Sequence, residues 1–61
     1  MKRRDLMKTL ATIAKENGHT LTIKEGGNHT KVSFGEWKQV IPRHNEISEK
    51  LARAIIRSAQ Q

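Results

Sequence analysis

There is no cysteine in these 61 residues, which removes disulfides, thiolate zinc sites, dithiol redox motifs and cysteine nucleophiles from consideration. That absence fits a reducing compartment, and the expected location is cytoplasmic. The three histidines, His19, His29 and His44, are too few and too scattered to read as a structural metal site, and no cofactor is expected. Tyrosine is missing and Trp37 is the lone tryptophan. An indole can stack on a nucleic-acid base, but a lone Trp opening a strand in so small a domain reads first as core or rim packing. No apolar run approaches the length of a membrane-spanning helix, and the charged-then-apolar layout of a signal peptide is absent, so no membrane partner is expected. Repeats, low-complexity tracts and linkers are lacking too.

Acidic residues are the other shortage. Twelve Lys and Arg against six Asp and Glu leave 12 − 6 = +6, with a pI near 10.4, and polyanions are the expected partners. The length allows one small domain over residues 1–61, with Met1 to Arg3 and Gln60-Gln61 expected to be loose. A chain of this size buries only about 60% of the surface its unfolded form exposes, so its core is thin.

Periodicity organises the chain. Leu6, Leu10, Ile13 and Ala14, with Met7 beside them, recur at three-to-four spacing and predict an amphipathic helix from Arg4 to Asn17, ended by Asn17-Gly18. Thr20 to Lys24 alternates at period two, with Leu21 and Ile23 on one face of a half-buried strand. After Gly26-Gly27, Thr30, Val32 and Phe34 resume the alternation, placing His29, Lys31 and Ser33 on the other face. Gly35-Glu36 is a second tight break, and Trp37 to Ile41 predicts a third strand ended by Pro42. Asn45 is the expected cap of a final helix with Glu46 and Glu49 in its first turn and Ile47, Leu51, Ala54, Ile55 and Ala59 as its buried stripe.

The layout is α-β-β-β-α. A three-stranded antiparallel meander cannot bury a face alone, and two flanking amphipathic helices can cover the same side, which makes the fold α+β in two layers. The expected core is Leu6, Leu10, Ile13, Leu21, Ile23, Val32, Phe34, Leu51 and Ile55, and the uncovered sheet face should display His29 and Lys31.

Gly26-Gly27-Asn28-His29-Thr30-Lys31-Val32 resembles the Gly-Ser/Asn-His segment of the HicA-type mRNA interferase toxins, and Val40-Ile41-Pro42-Arg43-His44 resembles that family's Val-Pro-x-His segment before its last helix. Both occur in order and at the family's spacing in a short basic chain. The resemblance implies a fold like the double-stranded RNA-binding domain, cleavage of messenger RNA by the glycine-flanked histidine, and silencing by an acidic antitoxin of the HicB type. By motif match the catalytic residue is His29, and Gly26, Gly27, Asn28, Lys31, Arg43 and His44 are the expected substrate contacts. One departure lies in the last helix, where a glycine often present in the family is absent and Lys50-Leu51-Ala52-Arg53 follows directly, implying a shorter connection from Pro42.

The residues support this chemistry on their own terms. Side-chain-free Gly26 and Gly27 let a phosphodiester approach and permit a positive-φ hairpin turn. An imidazole both takes and gives a proton near neutrality, and RNA brings its own nucleophile in the 2′-hydroxyl. Lys31 and Arg43 can neutralise a pentacovalent phosphorane, or be ordinary surface charge. His44 is open between a second acid or base, a phosphate ligand beside the helix start, and a turn hydrogen bond. Lys2, Arg3, Arg4 and Lys8 against Asp5 give 4 − 1 = +3 at the N-terminus, which suits RNA or an acidic partner. Two functions follow: a metal-independent ribonuclease toxin, or a non-catalytic module holding RNA by shape and phosphate contacts. A DNA-binding helix-turn-helix is excluded, because the segment between the helices is strand-periodic and far longer than that motif's turn of roughly 3 to 4 residues.

Overall fold

The computed structural model describes residues 1–61. It contains α1 (Arg3–Glu16), β1 (Thr22–Glu25), β2 (Thr30–Phe34), β3 (Trp37–Ile41) and α2 (Glu49–Gln60), so the chain is a small α+β fold of α-β-β-β-α order. No helix is long and apolar enough to cross a membrane. Helix α1 stops in a Schellman motif: Gly18, at φ +77, donates its N–H to Lys15 O (3.0 Å), and His19 donates to Ala14 O (2.8 Å). Only glycine adopts this left-handed conformation without strain.

The sheet is antiparallel throughout in the order β1-β2-β3. Strands β2 and β3 are joined by Gly35-Glu36, where φ is positive at Gly35 alone, the pattern of a type II′ hairpin turn. Register assigns the two faces. Thr30 lies opposite Glu25 and Ile41, Val32 opposite Ile23 and Gln39, and Phe34 opposite Trp37; this face carries the helices. The alternate residues Thr22, Lys24, Lys31, Ser33, Lys38 and Val40 lie on the face that nothing covers. The core holds 11 residues: Leu6, Leu10, Ile13 and Ala14 of α1, Val32, Phe34 and Ile41 of the sheet, Ile47, and Ala52, Ile55 and Ala59 of α2. Each large side chain taken from water there contributes about 1.5–3 kcal/mol before entropy is counted.

Several expectations are corrected. Helix α2 is capped by Ser48, whose Oγ accepts the Leu51 N–H at 3.3 Å, not by Asn45. The cause is a pairing of the segment before it with the N-terminus: Arg3 N–H donates to Asn45 O (2.9 Å) and Ile47 N–H to Met1 O (2.8 Å), holding residues 45–47 out of the helix. The Pro42 connection is accordingly longer than implied. This later start rotates the stripe, so Ala52 is buried in place of Ala54, and Leu51 is 40% exposed. The same pairing fixes Met1 to Arg3, which are not loose. Ile23 faces the helix side opposite Val32 but is 50% exposed, because β1 is an edge strand beyond the helices' reach; Leu21 is only partly buried against the core.

Candidate functional site

The turn between β1 and β2 is closed by its own backbone and clamped from outside. Gly26 N–H donates to His29 O at 2.9 Å. The Arg43 guanidinium, arriving from the segment after β3, donates to Gly26 O, to Gly27 O (3.3 Å) and, at the margin, to His29 O (3.5 Å), and it pairs with Glu25 Oε1 at 3.1 Å. A planar fork with five donors suits three carbonyls and a carboxylate in one place. Neither Gly26 nor Gly27 has positive φ, so the left-handed turn expected there is not used. Gly26 is instead a matter of space, since a Cβ on it would sit 3.2 Å from His29 O, whereas a Cβ on Gly27 would meet nothing. Asn28 and His29 are exposed at the tip.

Beneath the turn lies a polar network with no counterpart among the site residues expected from sequence. Thr30 is fully buried; its hydroxyl accepts from Arg3 Nη2 at 2.6 Å and donates to Glu25 Oε1 at 2.7 Å. Arg3 Nε also donates to Pro42 O at 3.2 Å. One chain of contacts thus links the first turn of α1, both ends of the β1–β2 turn and the exit of β3. The Thr30 hydrogen bond, with the positive charges of Arg43 and Arg3, holds the Glu25 carboxyl below the usual carboxylate range against the opposing effect of desolvation. The available signal was the symmetry of Glu25 and Thr30 about the turn, which places them opposite each other on the inner face.

Of the expected site residues, Gly26, Gly27, Asn28, His29 and Arg43 come together. Arg43 faces the protein as a clamp instead of standing free for phosphate. Lys31 is exposed on the open sheet face, directly opposite Lys24, two residues beyond His29. His44 is exposed next to Arg43, but it is the guanidinium that touches the turn. Trp37 is partly buried, its ring 5.1 Å from that of Phe34 and its Nε1–H donating to Ser58 Oγ at 2.9 Å, so the indole packs α2 onto the sheet rim. His19 rests on Phe34, ring centroids 5.9 Å apart, and over Gly35, where a Cβ would come within 3.1 Å of the imidazole. No group of three or more His, Asp or Glu side chains converges anywhere in the fold.

The arrangement presents an exposed imidazole on a pinned turn, beside unpaired positive charge. Such a group can move a proton to or from an anionic substrate without the loop having to be ordered first. No protein-family model, curated protein or solved structure matches this chain.

Proposed function

We propose that this protein is an endoribonuclease toxin resembling the HicA-type mRNA interferases, with a fold like the double-stranded RNA-binding domain, acting on messenger RNA in the cytoplasm and silenced by an acidic antitoxin of the HicB type. The observation that carries the reading is the Arg43 clamp. It joins the two segments on which the resemblance rests, Gly26 to Val32 and Val40 to His44, through hydrogen bonds to Gly26 O and Gly27 O, and it leaves the His29 side chain exposed. Two motifs separated along the chain gain a physical reason to occur together.

In this reading the His29 imidazole removes the proton of a ribose 2′-hydroxyl as that oxygen bonds to the neighbouring phosphorus. The bond to the 5′ oxygen breaks, and that oxygen takes a proton from solvent or from His44. Lys31 offsets the charge that gathers on the phosphorane oxygens. Arg43 acts through the turn, as a positioning residue.

The test is RNA integrity and growth on inducing the wild-type and His29→Ala chains. Removing an acid or base costs about 10² to 10⁴ in rate, so His29→Ala should abolish cleavage and toxicity while leaving RNA affinity near wild type and stability within about 0.5 kcal/mol, as for other exposed positions. His29→Gln, which cannot shuttle a proton at neutral pH, should be equally inactive. Cleavage by His29→Ala would remove the assignment of the catalyst; a wild-type chain that binds RNA and never cuts it would make the protein a non-catalytic RNA-binding module.

A further inference from the structure

The uncovered face of the sheet carries Lys24, Lys31 and Lys38, one from each strand, in a shallow groove with Ser33 and Val40. Lys24 and Lys31 are direct cross-strand partners, with Cβ atoms on one face about 4.5–5.5 Å apart. Lys31 lies opposite Val40, so Lys38, two residues earlier, is its diagonal neighbour at roughly 7–8 Å. The three form a stripe that crosses the strands. Like charges directly opposite each other disfavour the sheet, and no carboxylate relieves them: the ion pairs of this chain involve the Met1 ammonium, Arg43 and Arg53. The stripe is therefore a positive site whose counter-charge must come from outside.

The composition of the face selects the occupant. Protein interfaces are enriched in aromatics, Met and Arg and depleted in Lys, and a carboxylate partner is matched best by the Arg fork. This face has no Arg, Met or aromatic residue, since Phe34 and Trp37 lie on the other side of the sheet. Ammonium groups on flexible stems, with hydroxyls and a single Val between them, suit phosphate oxygens, and without aromatics there is nothing for bases to stack on. We propose that Lys24, Lys31 and Lys38 form a binding track for the phosphate backbone of single-stranded RNA, read without regard to sequence. The choice of RNA rests on the function proposed above; the phosphate chemistry does not. Lys31 lies two residues, or one strand repeat of roughly 7 Å, from His29, so a backbone seated on the track passes close to the turn.

The test uses wild-type protein and a fluorescent 2′-O-methyl RNA 12-mer, which carries phosphates but no free 2′-hydroxyl, so binding is read without cleavage. Three neutralised phosphates contribute 3 × 0.7, about 2, to the log–log salt slope for a single strand, equivalent to about a hundredfold in affinity between 1 M and 0.1 M salt. Replacing Lys24, Lys31 and Lys38 by Gln should remove that slope and that affinity. The matched variant with Lys15, Lys50 and Arg57 replaced by Gln, all exposed on the helices and equal in charge lost, should keep both. A DNA 12-mer of the same sequence should behave like the RNA, as a phosphate site requires. Equal losses in the two variants, or a loss confined to the helix variant, would overturn the track, as would an acidic peptide that binds these lysines more tightly than either strand, which would make the face a protein-docking surface. Binding through the track by a wild-type chain that cuts no natural RNA would sink the ribonuclease reading and leave this one standing.

Discussion

Thr30→Val removes one buried oxygen and almost no volume, which makes it the sharpest probe of the network under the His29 turn. The wild-type hydroxyl holds two hydrogen bonds, from Arg3 at 2.6 Å and to Glu25 at 2.7 Å. Hydrogen bonds to charged groups contribute about 1.5–3 kcal/mol when the partner is left unsatisfied and less when water can replace it. Arg3 keeps Pro42 O and Glu25 keeps Arg43, so the expected loss is about 1–3 kcal/mol in total. Total stability for a chain this size is roughly 3–9 kcal/mol, and each kcal/mol moves the melting point by about 4–8 °C. The melting temperature at pH 7 should therefore fall by at least about 4 °C. Thr30→Ser keeps the hydroxyl and loses a core methyl, a change of about 0.5–1.5 kcal/mol, and should be the milder of the two. The pH dependence gives a second reading. Because the folded-state pKa of Glu25 is lowered, chiefly by the Thr30 hydrogen bond, the ionised carboxylate stabilises the fold above its unfolded pKa of about 4.3. That contribution is lost as pH falls through the folded value. Thr30→Val lets the pKa rise back, so wild type and variant should converge in stability between pH 5 and the acid limit. A Val variant as stable as Ser, with a gap that does not narrow in acid, would refute the network as the support of the turn.

Arg43→Lys keeps a positive charge but loses the fork, so amide exchange at Gly26 to His29 should accelerate and RNA cleavage should fall with little change in RNA affinity. A Lys variant that keeps full cleavage would mean that Arg43 serves as a simple charge and does not position the turn. Leu10→Ala, at a fully buried site, should cost about 2–5 kcal/mol and unfold much of the population at 37 °C. Leu51→Ala, on the outer side of α2, should stay within about 0.5 kcal/mol; if calorimetry finds both equally damaging, the rotated stripe of α2 is wrong.

What was legible in the sequence follows from the range of the interactions involved. Element order, the turn at Gly35-Glu36 and the inward set Thr30, Val32 and Phe34 rest on local periodicity and turn chemistry, which neighbouring residues alone determine. The phase of α2 is not legible locally, because Asn45 and Ser48 are both competent caps and the choice between them is made by Met1 and Arg3, more than 40 residues away in sequence. The exposure of Ile23 likewise depends on where the helices end over the sheet, and a strand's own alternation carries no information on that. Arg43 stands out in the sequence as a site residue, but a basic side chain beside a His reads the same whether it faces phosphate or a turn carbonyl.

The six acidic residues explain why the open sheet face is bare of negative charge. Glu25 is drawn inward to Thr30 and Arg43, and Glu46 and Glu49 are held by the Met1 ammonium, whose pKa the Glu46 hydrogen bond raises most. Asp5 sits in the first turn of α1, where the helix dipole favours it, Glu16 ends that helix, and Glu36 is in the β2–β3 turn. None has a place on the strand positions beside Lys24, Lys31 and Lys38. Moving a carboxylate there, as in Ser33→Glu opposite Lys38, would satisfy the sheet by a cross-strand pair while occupying the site that a phosphate is expected to fill. The same residues that leave the face electrostatically unsatisfied in the free chain are thus what make it competent to hold a polyanion.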